Sequence, residues 1–330
     1  TLSWAALDAS NRLARVLRNP SDPRPLPVAP WIEPTLRAWL GQQPADRPVH
    51  CFVNLLDAHE KYLSDSALVH GLAAWWRFVR VSQNPRRWLE GEWTPTADEL
   101  ALLRGLYEAT LERLSRRITD LIGAFRDAGR WENTLLILTS DHGQAFGENG
   151  DLFHERSPYE PLLHVPLWVR WPGGTSGPAL RTDPVSLVDI APTVLRAAGI
   201  PDAFATSGTA LQGDHGEPRA RPVLAMADGY PTIENYRRRL NGALLERLRH
   251  SYGVAYDGTM KAIVGVQEGD LRTFRLANGD GPSPEREFED PVASEFVAGS
   301  AREVADELRR AAEGDVDSTV EDRLRSWGYL

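Results

Sequence analysis

Residues 137–150 read ILTSDHGQAFGENG. An apolar run, opening upstream as TLLILTS at 134–140, stops abruptly at Asp141, His142 and Gly143. The run has the length and β-branched character of a buried strand. A strand that only fills a core has no need to end on an acid and an imidazole. Asp141 supplies a hard oxygen and His142 a ring nitrogen, a pair that suits a divalent cation. Gly143 lets the backbone turn sharply behind them. Two ligands do not make a site, and the tripeptide alone reads more readily as a solvated turn after a strand.

Outward from this stretch, the pattern is α/β. The preceding helix is expected from about Thr96 to Ala128. Thr96 and Glu99 form a capping box, and Leu100, Leu103, Tyr107, Leu111, Leu114, Ile118, Ile122 and Phe125 recur at spacings of three and four. Upstream again, VHCFVNLLDAHEKY (49–62) starts as a buried strand, Val49 to Leu56, and ends in the polar loop Asp57-Ala58-His59. Downstream, VPLWVR (165–170) is expected as a strand and SLVDIAPTVLRAAGI (186–200) as a helix capped by Ser186 and stopped by Gly199. Strand, long helix, strand at this spacing predicts a largely parallel sheet, in which ligands bind beyond the carboxyl ends of the strands. Both polar tips, at Asp57 and at Asp141, lie at such ends.

The ends of the chain read differently. Residues 3–18 suggest a helix, 19–30 a Pro-rich connector, and Pro34 opens another short helix. From about 220 the pattern becomes short strands with hairpin signals at Asp257-Gly258 and Glu268-Gly269-Asp270, a small antiparallel sheet. Lys261 alternates with apolar neighbours there and is expected to face solvent. Residues 278–296 read as an exposed loop, and 300–314 as a terminal helix with a Ser300/Glu303 capping box. We expect a catalytic α/β unit over 1–215 and an α+β subdomain over 216–330.

Composition narrows the partners. A net charge of -9 argues against nucleic acid. Cys51 is the sole cysteine, so no intramolecular disulfide or thiolate zinc cluster forms. No apolar run is long enough for a membrane span. No signal peptide is recognisable, a lean toward the cytoplasm; but the chain opens at Thr1 rather than Met, so the compartment stays open, as does the oligomeric state. His59 reads either as a donor to an anionic group or as a loop histidine. His154, in GDLFHERSPYEPLLHVPLWV, is open in the same way. Trp75, Trp76, Trp88 and Trp93 could line a pocket, but such residues more often pack a loop-rich segment. Arg237-Arg238-Arg239 reads as a solvated helix face.

The order FVNLLDAHEKY, the long helix running to SDHG, FGENGDLFHERSPYEPLLHVPLWVRWPGG and PVSLVDIAPTVLRAAGIP closely resembles the sulfatase family of the alkaline phosphatase superfamily, over about 47–205. The resemblance implies an alkaline phosphatase-like sandwich with a largely parallel central sheet, incomplete at its N-terminus, plus a small C-terminal antiparallel sheet. It implies a metal-dependent hydrolase of small-molecule or carbohydrate sulfate esters. Asp141 and His142 would be metal ligands, and the ion calcium, with manganese, magnesium or zinc as alternatives. His59 and His154 would be the catalytic residues contacting the sulfate or the leaving-group oxygen. The chain departs from the family in lacking two further acidic ligands and a Cys/Ser-x-Pro-x-Arg nucleophile. Cys51 precedes Phe-Val-Asn, and SDPRP at 21–25 has the wrong spacing. The expectation is therefore an N-terminally truncated chain, inactive alone and weak in calcium binding. A phosphodiesterase, phosphonate hydrolase or phosphotransferase of the same superfamily is the alternative, and a non-catalytic remnant the second.

Overall fold

A computed structural model describes residues 31–60, 62, 81–154, 157–173, 180–181, 183–200, 208–211, 222–227, 250–276, 286–287 and 291–312. The expected helix at 3–18, the connector at 19–30, Trp75-Trp76 and the 237–239 arginines lie outside the described residues.

The N-terminal elements gather around one long helix. Helix α1 (Ile32–Gly41) is followed by the short α2 (Pro85–Leu89) and by α3 (Ala97–Asp127). Thr96 caps α3 as its sequence requires: its hydroxyl accepts from Glu99 N–H, and the Glu99 carboxylate accepts from Thr96 N–H. Thr96→Ala should cost about 1 kcal/mol, read as a lower urea midpoint at unchanged slope. The buried stripe of α3 differs from the expected one. It runs through Leu103, Leu106, Thr110, Leu121 and Ala124, while Leu111 lies 36% exposed. At mid-helix Arg117 faces the buried Asp57 carboxylate at 3.2 Å. The face is thus apolar at both ends and cationic between. Leu121 and Ala124 pack on Leu36 and Leu40 of α1, and Leu103 and Leu106 on Tyr62, Phe146, Leu152 and Phe153. Trp88 and Trp93 join that second cluster, so these two tryptophans pack a loop against the helix.

Strands β1 (Leu136–Thr139), β2 (Ala145–Phe146), β3 (Leu152–Phe153) and β4 (Leu167–Arg170) follow, with the one-turn helix α4 (Glu160–Leu163) between β3 and β4. The expected parallel central sheet is not found among the described residues. β1 pairs antiparallel with β4, Leu136 opposite Arg170, and β2 pairs antiparallel with β3. Residues 51–56 carry no ladder, and Phe52 and Leu56 are exposed. The reason is connectivity: the chain leaves β1, turns through the β2–β3 ribbon and α4, and returns beside β1 in the opposite direction. Helix α5 (Ile190–Ala197) comes next, entered through a 3-10 turn capped by Ser186.

The C-terminal elements form a five-stranded antiparallel sheet in sequence order: β5 (Val223–Ala227), β6 (Tyr252–Asp257), β7 (Met260–Gly265), β8 (Leu271–Arg275) and β9 (Arg286–Glu287). The two expected turns are present, with Gly258 and Gly269 at positive φ. Helix α6 (Pro291–Ala312) begins earlier than expected, so Ser300 is an interior residue that donates to the Phe296 carbonyl at 3.3 Å, not a cap. β9 and the start of α6 also replace part of the loop expected over 278–296. Both sheet faces are covered. Ala255, Ala262 and Val264 meet Val297, Ala301, Val304 and Ala305 of α6. Val254, Tyr256, Ile263 and Phe274 meet Tyr159 and Leu163 from the α4 segment. Lys261 belongs to this second face. It is fully buried rather than solvated, with Nζ 3.0 Å from Glu160 Oε1.

Candidate active site

Three imidazoles from separate segments converge. His59 follows the extended 51–56 run, His142 follows β1 and His154 follows β3. The His154 ring lies between the others, stacked on His142 at 4.6 Å between centroids and edge-on to His59 at 4.8 Å. Local structure places each of them. Gly143 N–H donates to the Leu162 carbonyl at 2.8 Å, so the turn after His142 is tied to α4. A Cβ on Gly143 would fall 2.0 Å from the Pro161 carbonyl oxygen. Glycine is therefore required by close backbone approach, since its φ is not among the positive ones. Phe153 supports His154 from the other side. It is fully buried and holds φ +63, a conformation that a bulky residue adopts only where packing enforces it.

Backbone contacts orient two of the rings. His59 Nδ1 lies 2.6 Å from the Glu60 carbonyl, and His142 Nδ1 lies 2.9 Å from the Gly143 carbonyl. With Nδ1–H donating, Nε2 carries the lone pair on each ring. Glu60 sits beneath the cluster. Its carboxylate is almost wholly buried, 3.1 Å from His154 Nδ1 and 3.6 Å from His59 Nδ1. Burial works to raise the Glu60 carboxyl, but His154, the Glu60 backbone and His59 together outweigh it and hold it below the ordinary glutamate value. Asp57 shows the opposite balance. Burial raises its carboxyl, and the Arg117 and Arg113 charges oppose this only in part. It anchors the loop to α3.

Asp141 stands at the edge. Its side chain is 87% exposed, with Oδ1 3.9 Å from His142 Nε2, and it accepts from the His142 N–H at 3.0 Å. Calcium asks for about six to eight oxygens. Asp141 and His142 supply one carboxylate and one imidazole toward such a set. His59, Glu60 and His154 instead present a compact donor group, with one ligand atom from each all within 4.8 Å of one another.

The α4 segment that fixes the site is held by the C-terminal sheet. Glu160 Oε1 accepts from Tyr256 Oη at 2.8 Å as well as from Lys261, and Arg272 donates to the Tyr159 hydroxyl. Glu60, Glu160 and Lys261 were not singled out as site or site-bracing residues from the sequence. Only the adjacency of Glu60 to His59 in AHEKY could have drawn attention to the first. Nothing in the spacing marks the other two.

The family model described as Sulfatase matches residues 37–200, the stretch that carries all of these side chains except those of the C-terminal sheet. This region belongs to the sulfatase family. Arylsulfatase K of Danio rerio is 38% identical over 116 residues, 35% of this chain and 22% of that protein. Arylsulfatase K of Homo sapiens is 35% identical over 116 residues, 35% of this chain and 21% of that protein. The matched stretch thus spans about a fifth of the length of these sulfatases. A solved structure from Bacteroides thetaiotaomicron, described as a candidate sulfatase, superposes with a TM-score of 0.51 at 14% identity. It covers 88% of this chain and 58% of that one, a likeness of fold, here the alkaline phosphatase-like sulfatase fold.

Proposed function

We propose that this polypeptide carries the ester-binding part of a sulfate ester hydrolase. The observation that supports it best is the convergence of His59, His142 and His154 at the ends of three segments within a sulfatase-family region. Stacked imidazoles suit a compact oxyanion, because ring N–H groups donate to its oxygens and a protonated ring balances its charge. His59, with Nδ1 tied to the Glu60 carbonyl, presents Nε2 to the ester, and in the imidazolium form Nε2–H is the proton donor to the leaving-group oxygen. His154, backed by the Glu60 carboxylate, is placed to hold a sulfate oxygen. Asp141 and His142 contribute to a family-type metal site only with further oxygen ligands, and a metal bound there would supply Lewis-acid stabilisation of developing charge.

The attacking group is a separate requirement. Residues 1–330 contain no Cys/Ser-x-Pro-x-Arg sequence, and burial pushes the Cys51 thiol up, away from a reactive thiolate. We therefore expect no turnover of p-nitrophenyl sulfate by residues 1–330 alone. With a nucleophile-bearing sulfatase segment placed before Thr1, turnover should appear. His59→Ala or His154→Ala should then lower kcat by about 10²- to 10⁴-fold. Preferential cleavage of bis-p-nitrophenyl phosphate or phenyl phosphonate by that extended protein would move the reading to the superfamily's phosphoryl hydrolases. Full turnover by both histidine variants would remove the histidines from the chemistry.

A further inference from the structure

We infer that His59, Glu60 and His154 bind a borderline divalent ion of the zinc class, through a donor set that shares no residue with the hard-oxygen site expected at Asp141 and His142. The donor set is two imidazoles and one carboxylate, each offering a ligand atom within 4.8 Å of the others. A tetrahedral zinc with bonds of about 2.0–2.2 Å holds its donors roughly 3.3 Å apart, so small rotations of the rings close the site. His59 has the freedom to do so, being nearly half exposed, whereas Glu60 is fixed and buried. The chemistry selects against calcium, which prefers many oxygens, and in favour of ions that accept nitrogen. The backbone carbonyl at His59 Nδ1 is the kind of outer contact that orients a ligating imidazole. The fourth position stays open to water or to an anion, as in sites with three protein ligands.

This binding does not depend on the proposed hydrolysis. One consequence does rest on that reading: an ion held by His59 and His154 occupies the nitrogens that the ester needs, so zinc would inhibit a competent sulfatase.

The experiment uses the purified chain, stripped with a chelator. Zinc is titrated calorimetrically, and cobalt by the intensity of its visible bands, which report tetrahedral coordination. The expected result is one equivalent bound, undisturbed by a thousandfold excess of calcium. Affinity should fall by about a hundredfold or more in His154→Ala and in His59→Ala, which has the more exposed ring and is the variant safer for folding. Glu60→Gln should fall similarly, with the circular dichroism of each variant checked in chelator. His164→Ala, on a half-exposed ring outside the cluster, should bind as the parent does. Loss in Asp141→Ala with retention in His59→Ala and His154→Ala would place the ion at the family site and overturn the inference. No saturable binding, or equal loss in His164→Ala, would show that Glu60 and His154 form an ion pair and nothing more.

Discussion

Lys261→Met should destabilise the protein by about 3–5 kcal/mol, measured by urea unfolding of the purified chain. The ammonium is fully buried, 3.0 Å from Glu160 Oε1, and the same oxygen accepts from Tyr256 at 2.8 Å. Removing the lysine leaves a carboxylate in an apolar setting between Tyr159, Leu163 and the sheet. The Tyr256 hydroxyl and the His164 ring then compensate its desolvation only in part, which is why breaking a buried pair costs far more than an exposed one contributes. The double variant Lys261→Met/Glu160→Gln should recover a large part of the loss, because it removes the orphaned charge along with its partner. A single-variant loss below about 1 kcal/mol would mean that Glu160 finds water or another cation, and that the sheet does not hold α4 through this pair.

Gly143→Ala should be nearly as damaging, at about 3 kcal/mol. The added methyl would meet Pro161 O at 2.0 Å, the Pro161 carbonyl carbon at 2.9 Å and Leu162 Cα at 3.2 Å. All three are backbone atoms, so no side-chain rotation relieves the clash. The 141–143 turn must separate from α4, with loss of the Gly143 N–H to Leu162 hydrogen bond. His142 then leaves its stack on His154. Gly41→Ala is the matched control: it sits at the end of α1 with nothing within 4 Å of the new methyl, and should be neutral or slightly stabilising. Comparable unfolding midpoints for the two variants would show that the 161–162 backbone yields easily.

Much of the local structure was legible because its causes are local. The Thr96 capping box, the strand before Asp141, the Ser186 cap and the glycine turns at 258 and 269 depend on neighbours within a few residues. The candidate residues His59 and His142 stood out as histidines at the polar tips of apolar runs, and His154 only through the family resemblance. The motif order pointed to the family, because it records several such tips in sequence.

What stayed hidden depends on contacts made over long sequence separations. Lys261 alternates with apolar residues as a solvated strand residue would. Alternation distinguishes the two faces of a strand but cannot say whether the second is covered. Here Tyr159, Glu160 and Leu163, about a hundred residues earlier, cover it. The same limit applies to the α3 stripe, whose middle turns arginine toward Asp57 because that buried carboxylate sits opposite. It applies to strand direction, since β1 and β4 are antiparallel through the path of the intervening chain and not through their own residues. By itself, then, the sequence determined the helices, caps, turns and histidine-tipped segments, whose free energies are set within a turn or two of the chain. Tertiary structure alone decided that three imidazoles converge, two of them on one carboxylate, and that a buried lysine braces the helix beside them, because both follow from which surfaces meet.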